Sequence, residues 1–318
     1  KNPHYQESSG GFHIKPSEEA IIFYNKASGK KLGWGPMWFD ETTWGPKLIS
    51  KIVEFQLKNQ LKPDGMCGPG TFRVLKTERD AEEDDDTAIL NRDDYSEHII
   101  YCGEKIPIDW PKVVLWHEDE GLKAKAGCYR SKDEKRDIKM FVNHWDVCLS
   151  SSRCMRVLND RGISVQFLID NDGTIYQTMD MNDVAWHAGG RTWNNESVGV
   201  EITNAFYKKH QQWYMKQGHG QRPYWYGNVH GSHYGPFLGF YNVQLQALKA
   251  LWKAIVNATS VEWQCPKDPT GGVWTTVSPE ASAGSYRGIV SHYHLKKSKI
   301  DCVGLDIPGL IDEAKNGK

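Results

Sequence analysis

SVQFLIDNDGTIYQT, residues 164–178, is the stretch from which the architecture follows. Two apolar runs, Ser164–Asp170 and Thr174–Thr178, flank Asn171-Asp172-Gly173. An Asp-Gly pair between two such runs predicts a hairpin. Outward from it, Val113–His117, Met140–Asn143 and Ser197–Ile202 are further short apolar runs that predict strands. Leu149–Asn159 and Val243–Asn257 predict helices, the second with Leu245, Leu248, Leu251, Trp252 and Ile255 on one face. Residues 98–318 therefore read as an α/β domain. Residues 206–240, rich in Gly, His, Tyr and Trp, show no period and read as an insertion or long loop.

A chain of 318 residues favours two domains over one. With 39% hydrophobic and 25% charged residues it can bury a real core. The net charge of -1 gives no reason to expect nucleic acid or an anionic membrane as partner, and no apolar run approaches the length of a membrane span. Residues 1–77 read as a small all-α unit of three helices. Ser17-Glu18-Glu19 opens the first. Pro46–Asn59 carries Leu48, Ile49, Ile52, Val53 and Phe55 as a helical stripe. The Asp64-Gly65 turn and the Gly68-Pro69-Gly70 run then break the chain, and Thr71 can cap a third helix bearing Phe72, Val74 and Leu75. Residues 78–97 are dense in Asp and Glu, and like charges at that density predict an extended linker. The 7 cysteines are odd in number and show no CxxC spacing, which predicts a reducing compartment and mostly free thiols. The spacing of Cys148 and Cys154 places them on different faces of a helix. Lys1–Tyr5 lacks the apolar stretch of a secretion signal, so synthesis in the cytoplasm is expected.

Five polar residues end or follow apolar runs in the second half: His144, Glu201, His292, Lys299 and Asp301. Two imidazoles and a carboxylate suit a catalytic zinc with one open position, and the remaining acid/base and cation suit hydrolysis. His144 follows Met140–Asn143, His292 follows Gly288–Ser291, and Asp301 lies in a loop ending at Gly304. By spacing alone the signal is weak, since the chain has 12 histidines.

Five blocks in order raise it: FVNHWDVCLSS, RGISVQFLIDNDGTIYQ, DVAWHAGG, NNESVGVEITN and VSHYHLKKSKIDCVGLD. Together they resemble the zinc-dependent N-acetylmuramoyl-L-alanine amidases, which include phage endolysins, wall-recycling bacterial amidases and peptidoglycan recognition proteins. The resemblance implies a mixed central sheet flanked by helices. It implies Zn2+ held by His144, His292 and Asp301, with Glu201 as acid/base and Lys299 steadying the oxyanion. His187, Asn195, Trp145 and Gln166 are implied as substrate-groove residues, with a hydrogen bond that only stabilises the loop as the alternative for His187 and Asn195. His117, His294 and Cys302 rival His144, His292 and Asp301 respectively, thiolate being a good zinc donor. VEFQLKNQLKPDGMCGPGTFRVL, residues 53–75, is similar to the three-helix peptidoglycan-binding module appended to many wall hydrolases. The implied partner is bacterial peptidoglycan, the expected state is a monomer, and the expected role is that of a phage lysin acting on the cell wall.

Overall fold

The computed structural model describes residues 16–82 and 92–316, divided between two compact units, Lys1–Glu83 and Asp84–Lys318. The first contains three helices, α1 (Glu18–Leu32), α2 (Pro46–Lys58) and α3 (Pro69–Glu82). The Ser17 hydroxyl accepts from the Ala20 N–H at 3.2 Å and so caps α1. Pro46 and Pro69 open the other two, where a missing N–H costs nothing. Leu32, Trp34, Phe39, Leu48, Ile52, Phe72 and Leu75 form their shared core.

Two buried amides pin the Asp64-Gly65 turn to this core. Asn25 donates to Gly65 O and accepts from the Cys67 N–H, both at 2.9 Å. Gln56 accepts from the Gly65 N–H at 2.9 Å and donates to Asp64, Met66 and Thr71 at 3.0–3.1 Å. Thr71 therefore serves as a partner of Gln56 inside α3, which starts two residues before it, and not as the predicted cap. The acidic tract also begins differently from expectation. Residues 78–82 are helical, because Lys58 and Lys76 neutralise Glu78 and Asp80 at 3.8 and 2.5 Å. Residues 83–91 of the predicted linker lie outside the described residues.

The second unit begins with an antiparallel pair, β1 (His98–Tyr101) and β2 (Glu104–Pro107), then β3 (Val113–Leu115), β4 (Tyr129–Arg130), β5 (Met140–Trp145) and α4 (Ser151–Arg161). The predicted hairpin follows as β6 (Phe167–Ile169) and β7 (Ile175–Gln177), antiparallel across Gly173, whose φ is 82°. Next come β8 (Val184–Ala185), α5 (Arg191–Glu196), β9 (Ser197–Ile202) and α6 (Gln211–Lys216). A ribbon, β10 (Tyr224–Val229) and β11 (Ser232–Leu238), precedes α7 (Asn242–Ala258), α8 (Pro279–Ala283), β12 (Gly288–Ser291) and α9 (Ile307–Lys315). Residues 206–240 are thus a helix and a hairpin, not a structureless loop. Their irregular pattern reflects the glycines, the proline and the turn that interrupt the ribbon, and the register shift between Trp225 and Gly227.

The central sheet runs β12-β5-β9-β6-β7-β3 and is mixed: β12, β5, β9 and β6 are parallel, while β7 opposes β6. Phe141, Trp145, Phe167, Val198 and Val200 face one way, onto α7, where Trp252 meets Phe141 edge-on at 6.3 Å. Leu168 and Tyr176 face the other way, onto Cys154, Met155, Val157 and Leu158 of α4. Parallel central strands bring the C-terminal ends of β5, β9 and β12 to one edge, the usual place for a site in such sheets.

Gln56→Ala should leave the Gly65 N–H without its partner and loosen the turn by about 1–3 kcal/mol. Amide exchange in α2 and α3 should quicken. Unchanged exchange there would show that the turn holds itself.

Candidate metal centre

Strand alternation sets the site. Residues two apart on a strand share a face, and directly opposite residues on neighbouring strands share it too. His144 on β5 pairs with Glu201 on β9, and Val142 pairs with Gly199. His144, Glu201, Gly199 and Ser197 therefore lie on one face. His292 arrives just beyond β12, in the turn His292–His294. Asp301 comes from the loop that follows.

These groups converge. Asp301 Oδ2 lies 3.0 Å from His144 Nδ1 and 3.1 Å from His292 Nδ1. The two rings meet edge to face at 4.5 Å, and all three residues are buried. Burial drives the His144 imidazole down to about 4, and the neighbouring His292 pushes the same way against Asp301. Burial alone would raise the Asp301 carboxyl, but His292, His144 and Lys299 outweigh it and hold it well below the usual carboxylate range. His144 is thus neutral and Asp301 ionised, the protonation states that metal ligation requires.

The outer nitrogens have partners of their own. His292 Nε2 faces Ala188 O at 3.2 Å. A carbonyl cannot donate, so that nitrogen carries the proton, and in a neutral ring the Nδ1 lone pair faces Asp301 Oδ2. His144 Nε2 lies 3.0 Å from His187 Nδ1, and His187 Nε2 lies 3.2 Å from Ser197 Oγ. The Ser197 hydroxyl donates to Trp193 O at 2.6 Å. With each proton on the outward nitrogen, two lone pairs and a carboxylate oxygen face one point, which calls for a cation. Two nitrogens and one carboxylate oxygen suit zinc, and outer hydrogen bonds of this kind fix the tautomer and orientation of zinc-ligating imidazoles. His144, His292 and Asp301 form one of two such donor clusters among the described residues. The other, Asp146, Cys148 and Cys154, is a poor fit. The Asp146 carboxylate already accepts from the Cys148 and Asn204 N–H groups and the Thr203 hydroxyl, and burial holds the Cys154 thiol protonated.

The site lies inside residues 134–304, over which the chain matches the family model described as N-acetylmuramoyl-L-alanine amidase. The chain belongs to that amidase family. No curated relative matches it. Among solved structures it is similar to an N-acetylmuramoyl-L-alanine amidase endolysin, LysCS, of Clostridium intestinale, at 17% identity and a TM-score of 0.36, covering 70% of this chain and 99% of that one. It is also similar to the Ph2119 endolysin of a Thermus scotoductus bacteriophage, at 16% identity, a TM-score of 0.36, and coverage of 64% and 98%. Drosophila PGRP-LB is similar at 18% identity and a TM-score of 0.35, with coverage of 63% and 92%.

In this amidase the rival residues stand elsewhere. His117 is exposed in a turn, its ring against Trp116. His294 is spent on its own turn, accepting from the Ser291 N–H at 3.0 Å and bonding Trp274 O at 2.6 Å. The Cys302 thiol is held protonated by burial and by Asp301 and Glu201, so it is a poor donor. Glu201 is buried beside His144. Lys299, two residues before Asp301, bears electrostatically on both His144 and Asp301.

Two groove expectations fail. Trp145 follows His144 on the strand and so faces the opposite side, where it packs on Phe206 and Phe237 in the core. Gln166 is fully buried, accepting from the Gly199 N–H at 2.9 Å and donating to Asp183 O at 3.1 Å, and braces β9. Asn195 accepts from Arg130 and lines a cavity of about 400 Å³ with Arg130, Trp186, Arg191 and Asn194. His187, next to Trp186, is the outer partner of His144. Only its AWHAG setting marked it in the sequence, and the ring contact with β9 needed the fold. Cys148 precedes α4 instead of lying within it, so the expected separation on two helix faces does not apply and it reaches Cys154; among the described residues no two cysteine sulfurs are bonded.

Gly199 makes the His187 position possible, because a Cβ there would lie 2.5 Å from His187 Nδ1. Gly199→Ala should displace that ring and weaken zinc binding about 10-fold, the usual loss when an outer partner goes. Competition with a chromophoric chelator measures it, and unaltered affinity would deny His187 this role.

The histidines also set a pH dependence. His144 and His294 are depressed to about 4 and His187 well below its ordinary value, all chiefly by burial. Each binds a proton only after unfolding between pH 6.5 and 4.5. Asp170, raised to about 7 by burial, opposes them with one proton bound in the folded state. The unfolded chain binds more protons on balance. The metal-free second unit should therefore lose about 2–4 kcal/mol as pH falls across that window. Urea midpoints at the two pH values test the sign.

Proposed function

We propose that this chain is a zinc-dependent peptidoglycan hydrolase. It cuts the amide joining the lactyl group of N-acetylmuramic acid to L-alanine of the stem peptide. The observation that carries this reading is the direct pairing of Glu201 with His144 across β9 and β5. It sets a buried carboxylate beside the three-donor cluster of a family whose named reaction is this amide cleavage.

His144, His292 and Asp301 would hold the zinc, which supplies Lewis acidity toward water and the scissile carbonyl. Glu201 accepts the proton of the attacking water and returns it to the departing alanine nitrogen, so that amine leaves rather than amide anion. Its burial excludes bulk water from that exchange. Lys299 places a fixed cation where negative charge develops on the carbonyl oxygen. The cavity bordered by Arg130, Trp186, Arg191 and Asn195 draws on residues on both sides of His187 in the chain and offers room for the stem peptide. The helical unit is read as a wall-binding module that raises the local concentration of the catalytic unit at an insoluble polymer. Together these support a lysin acting on the bacterial wall, with phage release as the expected route.

Glu201→Gln should lower turnover by about 10²–10⁴-fold, the contribution of one acid/base group, with zinc and wall sedimentation retained. Mass spectrometry of fragments released from purified peptidoglycan, with and without a chelator, reads the reaction. Free lactyl ends together with stem peptides beginning at L-alanine, lost on chelation, are expected. Cuts within the stem would make this a peptidase, and sedimentation without release would make it a binding protein.

A further inference from the structure

The ribbon of residues 224–238 does more than cover surface. Val229 pairs with Ser232, so His230 and Gly231 alone make the turn at its tip. Both have positive φ, 54° and 78°, as a two-residue hairpin turn of this hand requires. Asparagine or glycine would adopt the first position more readily than histidine. A histidine held in a disfavoured conformation invites the question of what its side chain does.

It reaches the loop that carries Lys299 and Asp301. His230 Nε2 lies 3.0 Å from Lys299 O. A carbonyl has no proton, so the imidazole donates. Its other nitrogen faces the Thr276 hydroxyl at 3.1 Å, and its main-chain N–H donates to Thr275 O at 2.8 Å. The tip is thus held on three sides. Farther along, the ribbon lies against the far end of the same loop. A Cβ on Gly227 would come within 2.6 Å of Val303, and one on Gly304 within 3.3 Å of the Trp225 ring. Within the loop, the Lys299 N–H donates to Lys296 O and the Val303 N–H to Ile300 O, at 3.0 and 2.7 Å. The Lys299 carbonyl lies between these two turns, where the chain swings from the lysine to the carboxylate.

We infer that His230 is a positioning residue: from the ribbon tip it holds the Lys299 carbonyl, and thereby sets both the lysine and the Asp301 carboxylate against the metal centre. The inference rests on the reaction proposed above for its effect on turnover, while its effect on metal binding stands on geometry alone. A displacement of the loop by an ångström moves two functional groups at once, and misplacement on that scale is costly to rate.

The test compares His230→Ala and His230→Gln in the full chain. Glutamine can donate from its amide where the imidazole did, and tolerates positive φ in this same chain at Gln60, φ 56°. His230→Ala should lower kcat about 10-fold on peptidoglycan with KM within about twofold, because the loss is of alignment. It should weaken zinc in chelator competition by about 10-fold, and His230→Gln should recover most of both. Wild-type kcat and zinc affinity in His230→Ala would overturn the inference, as would a loss that glutamine does not recover. Should His230→Ala fail to fold, Thr276→Val, which removes only the second imidazole partner, must shift kcat and zinc affinity in the same direction; no shift overturns it. Zinc affinity is read without turnover. A wild-type chain that releases nothing from peptidoglycan would sink the proposed reaction, while weakened zinc in His230→Ala would still support the role of His230.

Discussion

One carboxylate oxygen standing 3.0 and 3.1 Å from two imidazoles is the constraint around which the second unit is arranged. Three groups that would each prefer water are buried together, and each alone would be costly there. They are tolerable because each is the others' partner. The sheet supplies the precision: β5 is hydrogen-bonded on both sides by parallel strands, and those strands deliver His144, Glu201 and His292 to one edge. Only Asp301 comes from a loop, and that loop is where the ribbon is packed.

The support extends one layer outward with the same economy of parts. Gln166 spends both ends of its amide between β9 and the segment leading to His187. Gly199 leaves the gap that the His187 ring fills. His187 then turns His144. The residues that orient the cluster thus come from the strand next to it and from the loop beside that strand.

Much of this was legible in the residues. The Asp172-Gly173 hairpin and both long helices form where the residues predict them, since turn chemistry and apolar spacing are short-range signals, and His144, His292 and Asp301, expected as metal ligands, lie within hydrogen-bond distance of one another through Asp301. What escaped was long-range. Trp145 is implied as a groove residue by the resemblance, yet it follows His144 on a strand, and neighbours on a strand point to opposite faces. Gln166 looked available, but the amide is consumed by a strand that the sequence does not name as its neighbour. The ribbon gave no period because glycine, proline and a turn interrupt it. The acidic tract read as a linker by charge, while lysines elsewhere in the unit make its start helical.

The hydrogen-bonded series leading away from the cluster has a further property. A proton wire must end at a group that can both take and give. This series runs from His144 through His187 and Ser197 to the Trp193 carbonyl, which can only accept. Its direction is therefore fixed at the far end, and no proton can be relayed along it to solvent. The two side chains and the one main-chain carbonyl that aim the imidazole thus also insulate it on that side.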